Sequence, residues 1–417
     1  MGRVHGGMGP LAGIVVADCS TVLAGPYCTM LLADLGADII KVEPPEGDST
    51  RGWGPPWVGA GRLGPDDPGV AAYYLSVNRN KRSIRLDLKK PAGRAVLGRL
   101  IGRADILVEN FRVGGFAGLG FDDDTLEGLN PRLIHLAISG YGTTGPLADK
   151  PGYDFVIQAA AGLMSITGQA DGDGGEPTKV GVAIADVVTG LQAAVAVLAA
   201  LDGRDRVGSS THGLGQRIDV SILESTLAVL VNQAQNAFAT GQAPGRLGNA
   251  HPNIVPYETF PTADGRIAVA VGSERQWPRF CGALGLDRLA ADPRFARNPD
   301  RVANRGVLRP ILAERFATGT TASWTERLDT AEVPCGPIAD IPTALGSAQA
   351  RAREMVVEVR HPRLGPIRQV GVPFKLDRTP ATIRTAPPLL GEQADEILAE
   401  LGYEPGEIAR LRAEDVV

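Results

Sequence analysis

Apolar residues in this chain come in short blocks divided by glycine, proline and charge. Gly13 to Asp18 (GIVVAD), Asp38 to Glu43 (DIIKVE), Ile84 to Leu88, Asp105 to Glu109 (DILVE), Pro131 to Ser139 and Gln216 to Ser221 each have the length and residue types of a buried strand. Helical segments lie between them. Ala24-Gly25-Pro26 opens one, with proline in the first turn, and Tyr27 to Leu35 continues it until Gly36 stops it. Pro91 to Arg103 is a second. Strand, helix and strand within about 30 residues make a βαβ unit and so a parallel sheet. Repetition of the unit predicts a doubly wound α/β domain of Rossmann-like type.

Residues 44–70 are rich in Pro and Gly and predict a long surface loop carrying Arg51, Trp53 and Trp57. Further on, Pro151-Gly152 breaks the chain ahead of YDFVIQAAAG, which predicts a buried helix with Asp154 in its first turn. Free N–H groups and the helix dipole favour an anion there, so Asp154 is at least a cap. Ile184 to Leu201 is alanine-rich and apolar nearly all round, which predicts a buried helix. Ile222 to Thr240 predicts one long helix. Residues 241–256, rich in Gly, Pro and Asn, mark a change of composition. A smaller α+β domain with a strand at Arg266 to Val271 is expected beyond it. After Ala339 β-rich sequence returns (Met355 to Arg360), and a helix from Glu392 to Leu401 closes the chain. The expected division is a large α/β domain over 10–215, a linker helix over 216–245, a small domain over 246–335, and a linker and return to the large domain over 336–417.

The length of 417 residues is too great for one ordinary core. The net charge of −5 gives no bulk attraction to nucleic acid or an anionic membrane, so any anionic ligand must be met by local basic residues. Cys19, Cys28, Cys281 and Cys335 show neither CxxC nor metal spacing and read as reduced thiols of a cytoplasmic protein. The first ten residues lack the apolar stretch of a signal peptide, and no run of about 18 apolar residues follows.

Several chemistries lack their motif. The turn after the first strand, Cys19 to Pro26, holds one glycine and no G-x-G-x-x-G. P-loop and G-x-S-x-G patterns are absent, and the five histidines lack metal-ligand spacing. What remains is a placed carboxylate with polar groups at strand ends. Asn110-Phe111-Arg112 follows one strand directly, and Gly140-Tyr141-Gly142 another. Ligands gather at the carboxyl ends of strands in such sheets, and an asparagine, an aromatic and an arginine suit a base and a phosphate. A polar turn with a buried Phe is the alternative reading of the first triplet, and a simple turn that of the second.

Ordered motifs nearly end to end resemble the class III CoA-transferases, the family of formyl-CoA transferase. They include LAGPYCTMLLADLGADIIKVEPPEGDSTRGWGPP at 23–56, YYLSVNRNKRSIRLDLKKPAGR at 73–94, ADILVENFR at 104–112 and NPRLIHLAISGYGTTGP at 130–146. PGYDFVIQAAAGLMSITG at 151–168, GNAHPNIVPYETF at 248–260, VPCGPI at 333–338 and APPLLGEQ at 386–393 complete them. The GNAHPNIVPY passage and the SGYGTTGP…GYD spacing look most like succinyl-CoA:glutarate CoA-transferases and other dicarboxylate-specific relatives.

The resemblance implies Asp154 as nucleophile. It implies CoA contacts at Leu86, Lys89, Asn110, Phe111 and Tyr141, and an acyl-CoA pocket residue at Val22; Arg112, beside the Asn-Phe pair, joins them. Leu23 stands where formyl-CoA transferase has glutamine, Pro44 and Gly118 where it has arginines, and its tetraglycine loop is missing, which argues against formate or oxalate. The family fold implies two interlocked subunits, each with a large domain built from both chain ends. Coenzyme A thioesters and a small carboxylic acid would be substrates, with no permanently bound cofactor, no metal, and no nucleic-acid or membrane partner.

The chemistry would run through acyl and CoA adducts of Asp154, with water excluded. Backbone N–H groups near Gly140 and Gly142, or at Gly248-Asn249, are candidate oxyanion donors. A dicarboxylate also needs a cation for its remote carboxylate, and Arg51, Arg79, Arg246 and, more weakly, His251 are the candidates. Two alternatives stand beside this reading. An α-methylacyl-CoA racemase-like enzyme would need histidine at Tyr153, although Asp186 matches its second residue. The other is a non-catalytic CoA-binding scaffold.

Overall fold

The computed structural model describes residues 9–417; most of the polar opening read above for a signal peptide lies outside the described residues. Six parallel strands form the central sheet: β1 (Val15–Asp18), β2 (Asp38–Glu43), β3 (Lys81–Arg85), β4 (Ile106–Glu109), β5 (Ile134–Ser139) and β6 (Gln216–Ser221). Their order is β3-β2-β1-β4-β5-β6. Val15 pairs with Asp38 on one side of β1 and Val16 with Ile106 on the other. The order of strands therefore reverses between β1 and β4, and a crevice opens there at their carboxyl ends.

Both faces of the sheet are covered, which is why its strands read as continuous apolar runs. Ala17, Ile40, Ile84 and Leu107 pack under the Pro91–Ile101 helix and two helices from the chain's end, Ala394–Glu400 and Pro405–Ala413. On the other face Val16, Ile39, Ile106 and Ile134 meet the Ala24–Asp34 and Ile184–Asp205 helices. Those two helices touch backbone to backbone: a Cβ on Gly190 would lie 2.7 Å from the Ala24 carbonyl oxygen.

The chain divides into two compact units. One holds the sheet and takes in the chain up to Leu163, Val180–Asn232 and Ala348–Val417. The other comprises Met164–Lys179 and Gln233–Ser347. In the second unit β7 (Tyr257–Pro261), β8 (Arg266–Ala270) and β9 (Cys335–Pro337) form an antiparallel sheet. Helices pack Trp277, Phe280, Phe316 and Trp324 against its Phe260, Ile267 and Val269.

Several expectations need correction. Strand β3 starts at Lys81, because Lys81 is buried in an ion pair that offsets its charge. The long helix over 222–240 is two, Ile222–Ala228 and Val231–Thr240, broken where Val231 takes φ +33°. The β-rich return is a separate hairpin, Val356–His361 with Gly365–Val370. The Ile184–Asp205 helix is only half-buried and exposes Leu191, Val195 and Leu198. By length and composition alone it could cross a membrane; here its inner face packs on the sheet. The helix after Pro151-Gly152 likewise buries Ile157 and Gln158 but exposes Phe155 and Val156.

Candidate active site

The turn after β1 is fixed from beneath by buried charge. Lys41 Nζ donates to the Ser20 carbonyl oxygen (2.9 Å) and pairs with Asp48 (2.9 Å). Asp18 accepts from the Ser20 N–H (3.0 Å) and the Thr29 hydroxyl (2.7 Å) and pairs with Lys81 (3.1 Å). Burial pushes the Asp18 carboxyl up, but the Lys81 and Lys41 charges and the Ser20 and Thr29 hydroxyls outweigh it and hold it at about 2. Burial lowers Lys81 to about 8 against the pull of Asp18. From above, the Asn110 side chain clasps Thr21, accepting from its N–H (3.0 Å) and donating to its carbonyl oxygen (2.8 Å). So held, Val22 adopts φ +70°, a left-handed conformation costly for a β-branched residue.

This turn forms one wall of a cavity of about 390 Å³ in the crevice at the switch point. Asn110 to Val113 after β4 form a second wall, Ser139 and Gly140 after β5 a third, and Ala148 to Tyr153 a fourth. The volume falls in the range of small-molecule sites.

Asp154 is the first residue of the helix Asp154–Ala160 and adjoins this cavity through Gly152 and Tyr153, which line it. Each of its oxygens is held separately. Oδ1 accepts from the N–H of Ala185 (2.7 Å) and, more distantly, of Asp186 (3.4 Å). Both belong to the first turn of the 22-residue helix Ile184–Asp205, whose N-terminal N–H groups have no partner within the helix. Oδ2 accepts from Gln158 Nε2 (2.7 Å), one helical turn on. Gln158 is fully buried and is fixed in turn by the Val180 N–H on its Oε1 (2.9 Å). Asp154 therefore does not cap its own helix by side chain; it sits on the positive end of another.

Asp186 lines the cavity and is only 7% exposed. Burial first, and the Asp154 charge second, push its carboxyl up to about 7. Tyr73 is pushed up to about 12 by burial and then by the charges of Asp186, Asp154 and Asp48, so it is a neutral neighbour.

Val22, Asn110, Phe111 and Arg112 thus meet at one cavity beside Asp154. Tyr141 is buried behind it with Ile157, Ala185 and Ile222, and Lys150 lies 5.5 Å over its ring. Leu86 is buried in the core just past β3, and Lys89 is exposed; neither lines this cavity. Arg51 and Arg79 are engaged elsewhere: Arg51 binds Glu43 (2.7 Å), and Arg79 binds Asp34 (2.6 Å) and the Val370 carbonyl oxygen (2.8 Å). Within the second unit Arg246 pairs with Asp171 and donates to the Gln169 and Gly175 carbonyl oxygens. There too His251 Nδ1 accepts from the Asn253 N–H (3.0 Å), and burial and the Arg305 charge lower its pKa. The Gly142 N–H, a candidate oxyanion donor, is given to Ser139 Oγ (2.9 Å). Gln158 and Lys150 were not singled out from the sequence. Gln158 could have been, since it stands four residues after Asp154 on one helical face.

A Rossmann-type sheet with a cavity at its switch point and a doubly held carboxylate beside it, without a phosphate-binding glycine turn, defines a small-molecule site with that carboxylate at its edge. The model of CoA-transferase family III matches residues 11–394, and the chain belongs to that family. It is 44% identical over 399 residues to the succinate–glutarate CoA-transferase of Agrobacterium fabrum, covering 94% of this chain and 96% of that protein. It is 39% identical over 370 residues to the acetyl-CoA:oxalate CoA-transferase of Acetobacter aceti, covering 88% and 89%. Among solved structures, a CAIB/BAIF family protein from Brucella suis superposes with a TM-score of 0.81 at 40% identity, covering 94% of this chain and 99% of that one.

Proposed function

We propose that the protein transfers CoA from succinyl-CoA to a free C4–C6 dicarboxylate, glutarate first among them, with Asp154 as nucleophile. The observation that carries this is the separate tethering of the two Asp154 oxygens. Oδ2, held by the Gln158 amide, attacks the thioester carbonyl; the C–S bond breaks, giving a mixed anhydride and CoA thiolate. The thiolate then attacks the Asp154 carbonyl carbon. Its oxygen, Oδ1, gains negative charge against the Ala185 and Asp186 N–H groups, which already point at it. The donor acid leaves as carboxylate, and Asp154 becomes a CoA thioester. The acceptor carboxylate repeats both steps in reverse. A carboxylate is a weak nucleophile, so positioning supplies much of the rate.

The choice of acid rests on the Agrobacterium fabrum relative's name, on the GNAHPNIVPY passage, and on Leu23, which is buried at the cavity where formyl-CoA transferase has glutamine. Val22, Asn110, Phe111 and Arg112 contact the CoA arm, with Lys89 and Tyr141 as further contacts; Leu86, buried in the core, supports the turn that carries Lys89 rather than touching CoA. The protein works in the cytoplasm as a homodimer. The exposed apolar faces bearing Phe155, Val156, Leu191, Val195 and Leu198 support a partner chain, since such faces are seldom left to water.

The test is a panel of free acids incubated with succinyl-CoA, products read by mass spectrometry, together with a hydroxylamine trap. Glutaryl-CoA is expected to lead the products, and Asp154 to be recovered as a hydroxamate on the peptide spanning Gly152 to Gln158. Equal or better turnover of formyl-CoA with oxalate would overturn the choice of acid; an unmodified Asp154 under turnover would overturn the nucleophile.

A further inference from the structure

We propose that Asp186 works as a neutral carboxylic acid, donating its O–H to the acyl oxygen of the bound thioester as that oxygen gains negative charge. This rests on the reading of Asp154 as nucleophile. Two oxyanions form in the reaction. The one on Asp154 itself has donors built in, the N–H groups of Ala185 and Asp186. The one on the incoming acyl group lies on the cavity side and needs a different donor. Gly142, one of the glycine candidates, has its N–H committed to Ser139 Oγ.

Asp186 meets the requirement by position. It lines the cavity, is more than nine-tenths buried, and follows Ala185, whose N–H holds Asp154. Among the described residues its carboxyl makes no hydrogen bond. A buried carboxyl with no partner is costly as an anion and far less so as an acid.

The groups around it preserve that state. From the Asp154–Ala160 helix it faces the Asp154 carboxylate, and from the Ala72–Val77 helix the neutral Tyr73 hydroxyl. The Ile222–Ala228 helix contributes Ile222. Arg112, Asp149 and Lys150 also line the cavity but are themselves exposed. Asp154 must be ionised to attack, and its charge favours the proton on Asp186, so one site holds a nucleophilic anion and a hydrogen-bonding acid together. The proton stays on Asp186 throughout; no bond to it is broken.

The experiment compares the full-length enzyme with Asp186→Asn and Asp186→Ala in the succinyl-CoA and glutarate assay from pH 5 to 9, with the hydroxylamine trap run in parallel. Circular dichroism checks folding. Wild-type kcat/KM should fall as pH rises through about 7, where Asp186 loses its proton. Asp186→Asn keeps an N–H donor and cannot ionise, so it should retain at least about a tenth of the pH 6 rate and lose the alkaline fall. Asp186→Ala has no donor and should lose about 100-fold or more in kcat. An Asp154 adduct in wild type, combined with equal losses in both variants or with the same alkaline fall in Asp186→Asn, overturns the role of Asp186 alone. A folded Asp186→Ala enzyme within threefold of wild type does so too. No adduct in wild type removes the nucleophile, and this proposal with it.

Discussion

Replacing Arg51 by methionine should destabilise the protein strongly and leave the chemistry per folded molecule almost intact. The guanidinium grips Glu43 with two bonds, Nε to Oε2 at 2.8 Å and Nη2 to Oε1 at 2.7 Å. Nη2 also donates to the Tyr74 hydroxyl (2.6 Å), and both terminal nitrogens donate to the Pro388 carbonyl oxygen (3.2 Å). Glu43 is fully buried and Arg51 side-chain exposure is 13%. Burial pushes the Glu43 carboxyl up, and the Arg51 hydrogen bonds, the Lys41 charge and the Ser83 hydroxyl bring it below its ordinary value. At an effective dielectric of about 20 the paired charges attract by roughly 5 kcal/mol. Removing one partner of such a pair costs about 3–5 kcal/mol, because the other charge is left buried. The assay is urea unfolding at fixed protein concentration for Arg51→Met, Glu43→Gln and the double variant. The double variant should recover about 1–2 kcal/mol relative to Arg51→Met. The pH dependence gives the sign. A depressed carboxyl adds stability that is present above its unfolded value, near 4.5, and is lost as pH falls through the folded value. Without Arg51 the folded value rises, so the gap to wild type should narrow from pH 7 toward about pH 4.5. A gap independent of pH, or a stable Arg51→Met protein that has lost dicarboxylate turnover, would refute this reasoning and return Arg51 to the substrate.

Two further outcomes are expected. Asp154→Asn should lose activity by several orders of magnitude yet unfold within about 1 kcal/mol of wild type and still bind CoA, since the Ala185 N–H keeps an acceptor; turnover and isothermal titration check this, and retained activity in the folded variant would contradict it. Asp186 has a folded value raised from 3.8 to about 7, so the folded state keeps a proton that the unfolded chain releases, and wild-type stability should fall between about pH 4 and pH 7. Asp186→Asn should remove that penalty, raising stability above pH 7 by an amount on the order of 4 kcal/mol and leaving it unchanged below pH 4; thermal melts across pH read it, and a variant no more stable at pH 8 than wild type would contradict it.

The sheet was legible because its strands are buried on both faces, which writes them as unbroken apolar blocks. Where burial and polarity part company, the pattern misleads. Lys81 opens β3 with a charge whose ion-pair partner, Asp18, lies 63 residues away. No Gly or Pro marks the break before Val231. The Ile184–Asp205 helix reads as buried all round, yet its outer face exposes Leu191, Val195 and Leu198. Asp154 could be placed in a first helical turn from Pro151-Gly152, but the N–H groups that hold it lie 31 and 32 residues on and are joined to it only by the fold. Arg51 and Arg79 looked free in sequence because Glu43 and Asp34 become their neighbours only through tertiary packing.

Gly140 and Gly152 lie against each other: a Cβ on Gly140 would come within 2.7 Å of the Gly152 Cα. Residues 141–151 therefore leave the end of β5 and come back to the same spot. The excursion closes on itself like an Ω-loop, and its stem, not its length, fixes where the helix bearing Asp154 begins. That makes the segment an exchangeable cassette. Its residues Ala148, Asp149 and Lys150 form part of the cavity wall, so lengthening or rewriting it between the two glycines reshapes that wall while Asp154 stays in register. The shape of the cavity can diverge among descendants of such a chain by edits to one short loop, with the placement of Asp154 inherited unaltered.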